Sequence, residues 1–284
     1  MISKRKIVIM SLAVLAVAAC LMSWRAYANR GSGPFYKNRR LSVWLEGYRR
    51  GAWQQSEEAM KALGTNALPT LITLLRRGAN PQQLSSFAEQ DQTGYAIRAC
   101  EALGPVAAPA LPELKNCFFQ PEYACFAPNA LAALGADGVS VVIGGLTNNS
   151  KHFQQLRHCC AETLEHVGPA GSNAVPSLLI CLTNKDRMLR AQAARSLGCI
   201  RMYPDVVVPA LVATLHDKDT WVRESAIYGL GQLKAAAKPA VPALLECLKE
   251  DPNGRVFFMA RAWLHEIDIE ALRKSGFWPP GVDQ

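Results

Sequence analysis

No segment of this chain alternates apolar and polar residues at period two, so half-buried β-strands are excluded and the fold class is all-α. Acidic residues are missing from the first 45 positions, which hold eight basic ones. All 23 acids and the other 23 basic residues share positions 46–284. The net charge of +8 therefore belongs to the N-terminus. The body of the chain lacks the one-sign excess that would neutralise a phosphate backbone, so nucleic acid is not an expected partner. Also missing are a Gly-rich phosphate loop, a nucleophile elbow and a CxxC pair, so no local motif signals catalysis and no cofactor is implied.

What the sequence does hold is a period. Arg157, Arg190 and Arg223 lie 33 residues apart, and each is followed 19 residues later by a proline: Pro176, Pro209 and Pro242. Before each arginine stands an apolar residue (Leu156, Leu189, Val222). A small one follows three positions after it (Cys160, Ala193, Ala226) and a leucine seven after it (Leu164, Leu197, Leu230). That spacing puts a narrow apolar stripe on one helical face. The prolines are expected to open a companion helix, where their missing N–H costs nothing. Its apolar face is Leu178, Leu179 and Leu182 in one copy, Leu211, Val212 and Leu215 in the next, and Leu244, Leu245 and Leu248 in the third. Weaker copies run toward the N-terminus. Ala62-Leu63-Gly64, Ala102-Leu103-Gly104 and Ala133-Leu134-Gly135 echo Gly229-Leu230-Gly231 as helix ends. About six to seven helix pairs are expected between residues 41 and 267, stacked as a repeat array.

The unit resembles a HEAT repeat, of the short variety shared with phycobilin-lyase-like and armadillo-related arrays. Asp217 with Val222-Arg223 matches the family's turn aspartate and Val-Arg pattern, and Asn184 with Leu189-Arg190 comes close. The copy before has Lys151 in place of the aspartate, and the last has Phe257 in place of the arginine. The resemblance implies a right-handed α-α superhelix. It also implies an Asp–Arg ladder between repeats, and a concave surface lined by the second helix of each pair.

Lys4-Arg5-Lys6 precede an uncharged stretch from Ile7 to Trp24. This reads as a hydrophobic helix, either a membrane anchor or an export signal. Cleavage after Ala26-Tyr27-Ala28 and lipid modification at Cys20, within Val17-Ala18-Ala19-Cys20, are the alternatives to an anchor through residues 7–24. The expected organisation is a signal or anchor at 1–24, a basic flexible tether at 25–40, the solenoid at 41–267 and a tail at 268–284. Its repeats would lie on the non-cytoplasmic side of the membrane. Cysteines occupy packing positions: Cys160 replaces a small alanine, and Cys117, Cys181 and Cys247 each follow a proline by five residues. Free, mostly buried thiols are expected, with no pairing proposed.

The expected function is a non-enzymatic scaffold for another protein or a peptide. Its candidate contact residues one, two and five positions after each arginine are His158, Glu162, Gln192, Arg195, Glu224 and Tyr228. A Glu162–Arg195 pair would cross between repeats. The alternative is a metal-binding or lyase-like enzyme on the same frame, with His158, Glu162 and His166 as the metal candidates because four-residue spacing aligns them on one helix. Enzymes of the deoxyhypusine-hydroxylase type bind iron through recurring His-Glu pairs, and here only His265-Glu266 has that order. A polar insertion at 78–93 reads as a loop. Trp44, Tyr48 and Trp53 at one end, and Trp263, Phe277 and Trp278 at the other, read as caps of the array.

Overall fold

Residues 33–80, 87–148, 154–250 and 254–277 are described by a computed structural model. A two-stranded antiparallel hairpin comes first, β1 (Phe35–Tyr36) and β2 (Arg39–Arg40), turning through Lys37 and Asn38 at positive φ. Helices follow: α1 (Leu41–Arg49), α2 (Trp53–Leu63), α3 (Leu68–Gly78), α4 (Phe87–Leu103), α5 (Leu111–Phe118), α6 (Ala127–Ala133), α7 (Ala136–Leu146) and α8 (Gln154–Val167). The array continues with α9 (Val175–Cys181), α10 (Arg187–Ile200), α11 (Pro204–Thr214), α12 (Thr220–Gln232), α13 (Val241–Glu250), α14 (Arg255–Ile267) and α15 (Ile269–Lys274). The first fourteen form seven consecutive pairs, and the chain is an all-α solenoid.

One continuous core runs through the stack. The stripe positions Leu156, Leu164, Leu189, Leu197, Val222 and Leu230 are buried, as are the small residues Cys160, Ala193 and Ala226. Those small residues let successive second helices (α8, α10, α12, α14) pack closely, whereas the first helices α9, α11 and α13 touch one another far more sparsely. Closer spacing in one layer than in the other makes the second-helix layer the inner side of a curved stack. Gly198 of α10 lies directly against the Gly229 backbone of α12.

Helix ends have local causes. Asp186 and Asp219 cap α10 and α12, each accepting through Oδ1 from the amide two residues on, at 2.9 Å and 3.0 Å. Pro69, Pro112, Pro176 and Pro242 sit in first turns. Pro209 does not: α11 begins a turn earlier, at Pro204, and encloses it. The equivalent stretches Gly168–Ala174 and Lys234–Ala240 are tighter 3-10 turns, which is why their prolines come at the start of a new α-helix.

The ladder between repeats is formed at Arg190. Its guanidinium makes two bonds to Asp217, at 2.8 Å and 2.9 Å, and donates to the Asn184 and Lys185 carbonyls. Arg223 repeats the local part, donating to the Asp217 carbonyl at 2.8 Å.

Several expectations are corrected. Residues 33–40 are no flexible tether, because the hairpin docks on the first pair: Trp44 Nε1 donates to the Tyr36 carbonyl, and the Tyr36 hydroxyl and Lys37 both reach Glu58. The 78–93 segment is not one loop. Gly78 closes α3 and residues 87–93 already belong to α4, because alanine, glutamine and glutamate there favour helix. Thr93 is buried and donates to the Leu74 carbonyl. Gly231 lies inside α12 with the Trp263 ring against it, rather than ending the helix. The tail opens with α15, capped by Asp268 and anchored by buried Leu272. The hydrophobic segment 7–24 and Trp278 lie outside the described residues. Among those residues no helix is long and apolar enough to cross a membrane.

Candidate functional site

The inner layer carries two groups of arginine and aromatic side chains. In the C-terminal group, Arg195 on α10 makes a two-pronged bond to Glu165 on α8, at 2.7 Å and 3.0 Å. Gln192 donates to the same carboxylate at 3.0 Å. The other face of the guanidinium covers the Tyr228 ring on α12, 4.0 Å from its centroid, and Tyr228 meets Trp263 on α14 edge-on at 5.9 Å. Four successive second helices are thus joined side chain to side chain. Burial opposes the Arg195 charge, but the Glu165 bonds outweigh it and hold the guanidinium above its ordinary pKa.

The N-terminal group centres on Arg98 of α4. Its guanidinium lies between the rings of Trp53 and Phe126, 4.6 Å from each centroid. Glu101, one turn on, is half-buried, and that burial raises its carboxyl above the ordinary range despite the pull of Arg98. Between the groups lies a groove of about 560 Å³, lined by Glu101, Asn129, Val139, Thr163, His166 and Val167 among others. Its floor is tied across two helices by the Thr163 hydroxyl, which donates to Asn129 Oδ1 at 2.6 Å.

The six residues expected at the contact surface divide. Gln192, Arg195 and Tyr228 come together. Glu162 is exposed but does not pair with Arg195; Glu165, one turn closer along α8, takes that place. Residues directly after the repeat arginine face the next repeat and not the inner surface. His158 Nε2 meets Asp186 Oδ2 at 2.6 Å, and Glu224 is buried with Arg255 at 3.1 Å. The metal stripe is likewise dispersed. His158 is committed to Asp186, while His166 Nδ1 lies 3.1 Å from the Glu162 carbonyl of its own helix. Among the described residues no three His, Cys, Asp or Glu side chains gather as ligands. His166 itself belongs to α8, which runs to Val167. The aromatic residues also do more than cap: Trp44 and Tyr48 are buried in the first pair and Phe277 packs on Phe257, but Trp53 and Trp263 belong to the inner-face groups. Glu165 and Arg98 escaped the sequence reading because their partners lie in other repeats, where spacing along a single helix gives no signal.

No curated protein matches the chain. Two engineered proteins of solved structure resemble it, each at 20% identity and a TM-score of 0.45; they cover 78% and 80% of this chain, and it covers 64% and 96% of theirs. A designed armadillo repeat protein in complex with the peptide (KR)4 is similar at 14% identity, 80% and 98% coverage and a TM-score of 0.42. Residues 175–262, which span the pairs α9/α10 and α11/α12 and most of α13/α14, match the family model for HEAT repeats. Over that stretch the chain carries HEAT repeats.

Proposed function

We propose that the protein is a non-enzymatic scaffold that holds another protein, or an extended peptide from one, against its second-helix layer. The observation that carries this reading is the pair of arginine–aromatic groups flanking the 560 Å³ groove. Arginine and large aromatics are enriched at protein interfaces, where they give contact area at low entropic cost. Here they are pre-ordered by one another, so little further ordering is needed on binding. Exposed Glu162 sits beside the groove and remains available to a partner.

The same reading places the scaffold at a membrane through residues 7–24, with its repeats on the non-cytoplasmic side and Lys4-Arg5-Lys6 on the other. Its support is the uncharged run behind a basic cluster. Alkaline extraction of membranes should leave the full-length protein in the pellet, and protease added outside spheroplasts should digest the repeats. Release into the soluble fraction refutes anchoring, and protection of the repeats refutes that orientation.

Crosslinking capture from the native host tests binding. Full-length protein should retain a discrete partner that a folded Glu162→Arg/Tyr228→Ala variant loses. A partner retained by the variant moves the site off this face, and no partner from either protein rejects the scaffold reading.

A further inference from the structure

Eight of the nine cysteines fall in the described residues, and seven of them are buried or half-buried. Cys125 is the exception: it is exposed, in the turn before α6. Its sulfur lies 3.4 Å from that of Cys159 on α8, in the next repeat, and Gln155 Nε2 approaches both sulfurs at 3.6 Å. Cys159 is itself 7% exposed. This is more than two thiols sharing a core. One can be reached by a reagent from solvent, and the other waits behind it in sulfur–sulfur contact.

We propose that Cys125 and Cys159 are a redox-modifiable pair that closes to an inter-repeat disulfide when a disulfide-bearing oxidant reaches Cys125. In the first step the Cys125 thiolate attacks the oxidant's S–S bond, forming a mixed disulfide and expelling one thiolate. In the second, Cys159 loses its proton to solvent and attacks Cys125 Sγ. The second half of the oxidant leaves as a thiolate, and the sulfurs close to about 2.05 Å. Both protein thiols are oxidised and the oxidant disulfide is reduced to two thiols, so atoms and electrons balance. The division of labour follows from burial: desolvation and the Cys125 contact raise the Cys159 thiol to about 12, which suits it to the second step and not the first. The bridge would pin the chain beside Phe126, and so fix one wall of the Arg98 stack. An exported location would supply such oxidants.

Full-length protein, fully reduced and then exposed to oxidised glutathione, provides the test. Thiols are blocked under denaturing conditions without reductant, and tryptic peptides are sequenced by mass spectrometry. Cys117 shares a tryptic peptide with Cys125, and Cys160 and Cys181 share one with Cys159, so fragment ions must place the bond. The expected result is a Cys125–Cys159 linkage with loss of two of the nine thiols. Cys199→Ser should keep the linkage, and Cys125→Ser should abolish it while circular dichroism stays unchanged. Glutathione left stably on Cys125 with Cys159 free, a bond between other cysteines, or no thiol loss would each overturn the proposal. The wild-type peptide map decides the matter alone if a serine variant fails to fold.

Discussion

Replacing Arg190 with methionine should cost about 3 kcal/mol, a large share of a protein's net stability, although the side chain touches no groove and no partner surface. The magnitude comes from what the substitution strands. The Arg190 side chain is 6% exposed and that of Asp217 13%, so the pair is mostly out of water. Without the guanidinium, the Asp217 carboxylate keeps the Asp219 amide, and the carbonyls of Asn184 and Lys185 lose the donor that Arg190 supplied. Removing one member of a buried pair costs about 3–5 kcal/mol, and Asp217 lies close enough to water to put the cost at the low end. Arg187 is the internal control. It sits three residues earlier on α10 and pairs with Asp219 of the same turn at 3.2 Å, but its side chain is 66% exposed. Screening reduces such a pair to about 0–1 kcal/mol, so Arg187→Met should be nearly silent. Urea unfolding of full-length protein in mild detergent, followed by far-ultraviolet circular dichroism, measures both. Adding Asp217→Asn to Arg190→Met removes the stranded charge and should restore about 1 kcal/mol. The reasoning fails if Arg190→Met lies within about 1 kcal/mol of Arg187→Met, or if the double variant is no better than the single one.

The close approach of α10 and α12 predicts that Gly229→Ala destabilises by about 1–3 kcal/mol, because the new Cβ would lie 2.5 Å from the Ala194 carbonyl oxygen. Gly198→Ala, which would drive a methyl into the Gly229 backbone, should be at least as costly, and thermal unfolding of the two variants checks both. Acid should weaken the array at the same turns. For Asp186 and Asp217, burial alone would raise the carboxyls. The bonds from Gln154, His158 and the Met188 amide to Asp186, and from Arg190 and the Asp219 amide to Asp217, outweigh it and hold both below the ordinary aspartate value of 3.8. A depressed folded pKa contributes stability that is present above the unfolded value and lost as pH falls through the folded one. Urea midpoints should therefore decline below about pH 4, and Asp217→Asn should flatten part of that decline. An unchanged acid limb in that variant would remove Asp217 from the account.

How far the fold was legible depended on which residues carried the period. The arginines, the leucine stripe and the small residues between them recur within each helix, where spacing alone sets the face, and they located the stack and its core correctly. Contacts between repeats were harder. The partner of Arg195 turned out to be Glu165 and not Glu162, because adjacent helices are staggered and the choice between residues one turn apart is made in three dimensions. The helix ends show the same limit from another side. Gly229-Leu230-Gly231 has the look of a helix end by analogy with Ala62-Leu63-Gly64, but positive φ occurs at Gly135, Gly168, Arg201 and Lys234, the true 33-residue series. The position is periodic in conformation but not in residue type, which hid it. Only glycine takes that conformation without Cβ strain, so Arg201 and Lys234 hold it at a cost. Arg201 has a compensating bond to Gln232 Oε1 at 3.0 Å, whereas Lys234 is exposed, with its backbone φ at 51°. Lys234→Gly should thus stabilise the protein by about 0.5–1 kcal/mol, the relief of strain exceeding the added freedom of the unfolded chain. Lys234→Ala keeps the Cβ and removes the charge, so it separates the two effects. A higher urea midpoint in the glycine variant alone would establish the conformational cause. Equal gains in both variants would assign the effect to the lysine charge, and a loss in the glycine variant would show that the strained residue is not a weak point of the array.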